Sequence, residues 1–203
     1  MIQAEDPPIL LASASASRAG LLRASGLVFE ARAAHVDEDA LKAAALAEGM
    51  PVADTALMLA DAKARRLAMR DPNLLVIGGD QMLVCGDDRF DKPADLAAAR
   101  AQLMVLRGKT HMLPTAIVVW RHGRRIWHHV ATPRMTMRQF SDAVLDAYLA
   151  AEGDAVLASV GGYRVEGPGI QLFERIEGSQ DEILGLPILP LLGFLRQHGV
   201  LAG

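Results

Sequence analysis

A mixed α/β fold is predicted by three observations. Short apolar runs of strand length, Ile9 to Ala12 and Leu74 to Ile77, are interspersed with longer alanine-rich segments of helical period. Two β-rich runs between His111 and Arg138 flank the turn Arg121-His-Gly-Arg124, a hairpin signal. Glycine and proline close the helical segments, with Gly26, Gly49 and Pro51, Gly108 and Gly153 at their ends. Strands and helices do not alternate strictly, so the expected sheet is mixed, with flanking helices.

The elements are expected in this order. Ile9 to Ala12 is a buried strand, Ser13 to Ser17 a small polar loop, and Arg18 to Ser25 a helix ending before Gly26. The acidic run Asp37-Glu-Asp39 precedes a helix at about 40–48, and a second helix spans about 53–70 and ends at Asp71-Pro72. Leu74 to Ile77 is a buried strand; Gly78-Gly-Asp-Gln81 turns into a second short strand, Met82 to Cys85, and Gly86 to Lys92 is a loop. Pro93 to Leu106 is an alanine-rich helix, followed by the hairpin, a helix over Asp142 to Ala151 and a glycine-rich ordered loop over Val160 to Gly169. A strand at Ile170 to Phe173 and a helix near 188–198 close the chain. No repeat, low-complexity linker or boundary appears, so one domain over 1–203 is expected.

Composition excludes several classes of function. The 21 Lys and Arg are balanced by 24 Asp and Glu, a net charge of -3, so no overall basic field is available to hold long nucleic acid. Phosphate binding must therefore be local. Cys85 is the single cysteine, which rules out an internal disulfide and suits a reducing cytoplasm. Glu5 and Asp6 stand where a signal peptide carries basic residues, and the apolar stretch Ile183 to Leu195 contains Pro187 and Pro190 and falls short of the ~20 residues a bilayer span needs. The six histidines show no paired metal spacing, and the phosphate-loop, nucleophile-elbow and dinucleotide-turn motifs are missing.

Several residues can carry chemistry. Ser13 to Ser17 lead into a helix N-terminus with Arg18 beside it, which makes an anion seat or, more plainly, a serine cap next to a surface arginine. Lys63 shares a helical arc with Leu59, Ala60, Ala64 and Leu67, and so points toward the core side; it is either a functional lysine or one that snorkels. Asp80 follows an apolar strand and two glycines, where a carboxylate at the strand's carboxyl end can meet a ligand or simply bond its own turn. Asp37, Glu38 and Asp39 offer oxygen ligands for a hard cation, or cap the following helix. Lys92 is set by Pro93 at a helix entrance, or is solvated loop charge.

Read in order, Leu10-Leu-Ala-Ser-Ala-Ser15 with Arg18, Val36-Asp-Glu38, Ala62-Lys-Ala64, Ile77-Gly-Gly-Asp80, Lys92-Pro93, Glu166-Gly167 and Gly185-Leu-Pro187 resemble the landmarks of the Maf (septum-formation) family across nearly the whole chain. The resemblance implies a mixed α/β fold with two lobes around a deep cleft, similar to inosine triphosphatases. It also implies hydrolysis of nucleoside triphosphates to a monophosphate and pyrophosphate. Asp80 would be the catalytic carboxylate and, with Glu38, would hold Mg²⁺ or Mn²⁺. Ser13, Ser17, Arg18, Lys63, Gln81, Lys92 and Glu166 would contact substrate. Asp80-Gln81 and the stretch Gly167 to Gly178 resemble the branch acting on 7-methyl-GTP; a carboxylate at Glu166 can accept from the N1–H and amine of guanine, a donor pair that thymine and uracil lack.

The family's Ser-Pro-Arg-Arg, or Ser-Pro-Trp-Arg-Arg in that branch, reads Ser15-Ala-Ser-Arg-Ala19 here, so only Arg18 keeps its charge. A dTTP or UTP preference and a nucleotide-binding cell-division regulator with little hydrolysis are the alternatives. A homodimer is the expected assembly, with a small nucleotide as partner and neither long nucleic acid nor membrane.

Overall fold

The computed structural model describes residues 3–203. In chain order the elements are β1 (Ile9–Leu11), α1 (Ala16–Ala24), β2 (Glu30–Ala31), α2 (Glu38–Ala47), α3 (Val52–Ala68), β3 (Leu75–Gln81), β4 (Leu83–Cys85), β5 (Asp88–Phe90), α4 (Leu96–Leu106) and β6 (Thr110–Met112). They continue with β7 (Thr115–Arg121), β8 (Arg124–Ala131), β9 (Arg134–Met137), α5 (Asp142–Glu152), β10 (Phe173–Glu177), α6 (Gln180–Ile183) and α7 (Ile188–Gln197), with 3₁₀ turns between α5 and β10. The mixed α/β class is therefore as expected, but the strands form two five-stranded sheets rather than one.

The chain divides into two compact units. The first takes the chain through Gln81, returns at Pro114–Thr132 and ends with Ser179–Gly203. Its sheet has the order β2-β1-β3-β7-β8, parallel at β1 with β2 and β3, antiparallel from β3 onward. Strands β1 and β3 are buried on both faces, which explains their unbroken apolar runs. Side chains alternate across the sheet. Leu11, Ile77, Ile117 and Val119 pack with Leu22 of α1 and Leu191, Phe194 and Leu195 of α7, while α3 covers the opposite face of β3 and β7. The β7–β8 hairpin turns at His122 and Gly123, both with positive φ (50° and 73°), the twist-matched two-residue turn that the sequence signal called for.

The second unit comprises Met82–Leu113 and Pro133–Gly178, and its antiparallel sheet runs β10-β9-β6-β4-β5. Buried in it, His111 Nε2 lies 2.7 Å from the Tyr163 hydroxyl, and His111 Nδ1 has no hydrogen-bond partner. Burial pushes the His111 imidazole down to about 4.

Several local expectations are corrected. Gly78-Gly-Asp80 is not a turn: it lies inside β3, with Gly78 opposite Val118, Gly79 opposite Ile117 and Asp80 opposite Ala116. The glycines serve close packing instead, because a Cβ at Gly78 would run into the Ala60 carbonyl and come within 2.8 Å of the Ala64 Cβ on α3. Gly86 to Lys92 contains β5, a strand paired with β4. Helix α4 begins at Leu96 rather than Pro93, since Asp95 is the cap and its side chain accepts from the Ala98 N–H at 2.7 Å. Ile170 to Leu172 belongs to a 3₁₀ turn, and the strand starts at Phe173; of the apolar pair only Leu172 is buried, while Ile170 is exposed. The short elements β2 and α6 carry no periodic signal and were not expected.

Two stability measurements follow from these contacts. Gly78→Ala should cost about 1–3 kcal/mol by overpacking α3 against β3, whereas Gly20→Ala, at an open helical position with nothing within 4 Å of the new methyl, should be neutral or stabilising; urea denaturation of both variants checks this. His111 is neutral in the folded protein down to about pH 4 but takes up a proton near pH 6.5 when unfolded. Its contribution is thus fully present above pH 6.5 and is lost, by about 3 kcal/mol in all, as pH falls toward 4. Denaturation midpoints across that range should flatten in His111→Gln, which cannot titrate there.

Candidate functional site

The charged cluster of the first unit follows from strand alternation. On β3, Val76, Gly78 and Asp80 face α3, and Lys63 of α3 reaches down to Asp80 across the close contact that Gly78 permits. Lys63 lies on the arc of Leu59, Ala60, Ala64 and Leu67, all buried, and is itself buried as that periodicity predicts. Its Nζ donates to Asp80 Oδ1 at 2.6 Å and pairs with Glu38 Oε1 at 3.0 Å. Asp80 is enclosed, with its side chain 8% exposed, while Glu38 is 40% exposed, so the cluster grades from buried carboxylate to solvent.

The acidic run divides its labour. Asp37 caps α2 by accepting from the Ala40 N–H at 3.0 Å, whereas Glu38, in the first turn, swings to Lys63; Asp39 is exposed. Glu38 and Asp80 thus turn carboxylate oxygens toward one point. Among the described residues no group of three or more His, Cys, Asp or Glu gathers to hold an ion. That point is the Lys63 ammonium, and Glu38 and Asp80 are the carboxylates that could hold a hard cation beside it.

On the opposite face of β3, Gly79 leaves room for Arg18, whose Nε would lie 3.3 Å from a Cβ there. Ser15 caps α1, its hydroxyl accepting from the Arg18 N–H at 3.3 Å. Arg18 Nε donates to the Gly185 carbonyl at 2.8 Å, and Nη1 to Ser13 Oγ at 3.4 Å. Ser13 is buried and also accepts from the Ser15 N–H, while Ser17 is exposed on α1. Burial lowers the Arg18 pKa, and the charges of Asp80 and Glu38 oppose that shift; the guanidinium stays cationic at neutral pH. Gln81 Nε2 donates to Thr115 Oγ1 and to the Glu182 and Ile183 carbonyls, so its amide nitrogen is engaged within the unit.

Structure therefore brings together Ser13, Arg18, Glu38, Lys63, Asp80 and Gln81 in the first unit. Lys92 and Glu166 belong to the second. Lys92 is exposed ahead of Pro93. Glu166 Oε1 accepts from Arg164 Nε at 3.2 Å, and Arg164 Nη1 is held by Glu152 at 2.9 Å, a carboxylate only 6% exposed. Neither this arginine nor the Gly185 carbonyl is anticipated by sequence reasoning. A charge two residues before Glu166 is a faint signal for the first, and a backbone acceptor leaves none for the second.

Residues 8–198 match the family model described as Maf-like protein. The chain belongs to the Maf family. It is 54% identical over 195 residues to a nucleoside triphosphate pyrophosphatase of Rhodospirillum rubrum, covering 96% of each chain. A protein of the same name from Granulibacter bethesdensis is 53% identical, over 95% of this chain and 98% of the relative. A 7-methyl-GTP pyrophosphatase of Rhizobium meliloti is 49% identical, over 96% and 98%. The Maf landmarks Arg18, Glu38, Lys63 and Asp80 thus coincide with the charged cluster of the first unit.

The buried pair makes a stability prediction. Lys63→Met strands the Asp80 carboxylate and should destabilise by about 3–5 kcal/mol, while Lys63→Met with Asp80→Leu should recover most of that loss. Chemical denaturation of the single and double variants checks it.

Proposed function

We propose that this Maf protein is a nucleoside-triphosphate pyrophosphatase that cleaves the α–β phosphate linkage, with 7-methyl-GTP as its leading substrate in a house-cleaning role. The observation that carries the reading is the enclosed Asp80, held through one oxygen by Lys63, with Glu38 on the same ammonium and Arg18 nearby. Relatives named for this activity over almost the full length support the reaction, and the relative named for 7-methyl-GTP supports the base.

Lys63 holds Asp80 Oδ1, which leaves Oδ2 to orient a water and accept its proton as the water oxygen bonds to phosphorus. The bridging P–O bond breaks and its electron pair leaves with pyrophosphate. Asp80 acts chiefly by orienting that water, since Lys63 fixes the carboxylate through its other oxygen. Lys63 and Arg18 offset the charge that grows on the leaving group, a role we also give Lys92; Ser13 sets Arg18, and Ser17 stands exposed for a phosphate oxygen. Glu38 and Asp80 would hold Mg²⁺ or Mn²⁺, which supplies charge neutralisation on the triphosphate.

Glu166 is proposed to read the base. Its Oε1 accepts from Arg164, and Oε2 is the acceptor we assign to a guanine-type donor. The single cysteine, buried Cys85, suits a reducing cytoplasm as the place of action, and among the described residues no helix is long and apolar enough to cross a membrane.

Pyrophosphate release should be measured with 7-methyl-GTP, GTP, dTTP, UTP and CTP, with Mg²⁺ and with chelator. Release should be metal-dependent and led by 7-methyl-GTP; preference for a pyrimidine would keep the reaction and remove the base assignment. Asp80→Asn should lower kcat by about 10²–10⁴-fold with circular dichroism unchanged, and near-normal turnover would remove Asp80 from the centre of the mechanism. Glu166→Gln should lower kcat/KM for 7-methyl-GTP about tenfold or more while sparing dTTP.

A further inference from the structure

The geometry points to Arg164, anchored by the buried carboxylate of Glu152, as the positioning residue that holds Glu166 for a 7-methylguanine base; this rests on the reading of Glu166 as the base acceptor given above. All three residues belong to the second unit. Arg164 Nη1 donates to Glu152 Oε2 at 2.9 Å, and its Nε donates to Glu166 Oε1 at 3.2 Å. The Glu152 side chain is 6% exposed and that of Glu166 30%, so the chain of charges runs from the interior to the surface. Both bonds leave from one rigid plane, so the bond to Glu152 fixes the direction of the Nε–H and with it the carboxylate it holds. Neither bond uses Glu166 Oε2, the oxygen assigned to the base.

Helix α5 grips residue 164 twice. Glu152, its last residue, takes the guanidinium, and buried Tyr148, one turn earlier, accepts from the Arg164 N–H at 3.1 Å. The loop is bare where it passes this anchor: a Cβ at Gly167 would lie 2.5 Å from Glu152 Oε1, and one at Gly169 would strike the Arg164 carbonyl. Gly167 sits at φ −131°, which any residue adopts, so space is what glycine supplies there. Arg32 and Glu30 show the unanchored counterpart at the same sequence separation: both are exposed, and the third member, Asp71 at 3.8 Å from Arg32, is 51% exposed. Two carboxylates sharing one guanidinium also keep a net negative charge, which Arg164 paired with Glu166 alone would cancel. Methylation at N7 makes guanine cationic, so the triad complements it in charge as well as in hydrogen bonding.

Calorimetry with the monophosphates 7-methyl-GMP and dTMP tests this without any need for turnover. Arg164→Met should weaken 7-methyl-GMP binding about three- to tenfold, the ordering cost of one freed glutamate side chain. It should leave dTMP binding unchanged, and it should cost nothing further in a Glu166→Gln background. Arg164→Met strands the Glu152 carboxylate, so Arg164→Met combined with Glu152→Gln serves the same measurements if the single variant fails to fold. In kinetics the KM for 7-methyl-GTP should rise by the same factor with kcat unchanged, as for binding lost equally from ground and transition states.

Equal weakening of 7-methyl-GMP and dTMP would make Arg164 merely structural, and losses that multiply with Glu166→Gln would mean that it acts apart from Glu166; either result overturns the proposal. If Glu166→Gln weakens 7-methyl-GMP binding and Arg164→Met does not, the proposal fails while the base reading stands. If Glu166→Gln itself leaves 7-methyl-GMP binding unchanged, the base reading fails, and the positioning role falls with it.

Discussion

Helix α3 lies so close to strand β3 that any side chain at Gly78 would strike the Ala60 carbonyl, and the charged cluster depends on this contact. Residue 80 is the next on the same face of the strand, and Lys63 is one helical turn from Leu59 and Ala60. The approach that excludes a Cβ at residue 78 lets the lysine ammonium meet Asp80 at 2.6 Å with little solvent between. Were helix and strand spaced to admit a methyl, the pair would open to water and its coupling would weaken.

Enclosure sets the chemical character of the cluster. Two charges taken out of water are tolerated only when each satisfies the other. Here Lys63 serves Asp80 from the buried side and Glu38 from the exposed side. This arrangement keeps an oxygen of Asp80 oriented without adding a second buried carboxylate, and it leaves Glu38 at the solvent end of the cluster. Arg18 adds its charge from the other face of the strand, which Gly79 leaves bare. The two consecutive glycines therefore serve two faces: Gly78 admits a helix, Gly79 an arginine.

Those glycines also explain the principal misreading of the sequence. Locally, Gly78-Gly-Asp80 has the composition of a turn, and glycine carries no mark that separates a need for close approach from a need for unusual φ. The partner that demanded glycine, α3, is more than ten residues away in the chain, so no local window contains the reason. Ile170 to Leu172 is a comparable case: its apolar run reads as a strand, yet Gly167, Pro168 and Gly169 wind it into a 3₁₀ turn in which only Leu172 finds the core. The hairpin at His122-Gly123 and the caps at Ser15 and Asp37 were legible because their partners lie within a few residues.

By itself the sequence determined the α/β class, most helix and strand positions, the inward arc of Lys63 and, through its ordered landmarks, the Maf family, because periodicity, capping and motif order are all written along the chain. Only the tertiary structure decided that the strands divide into two sheets, that Asp37 caps while Glu38 pairs, and that Arg18 leans on the Gly185 carbonyl while the Gln81 amide nitrogen bonds the Glu182 and Ile183 carbonyls. The physical reason is the same in each case: these are bonds between groups far apart in the chain, several of them to backbone carbonyls, which every residue possesses and no residue type announces.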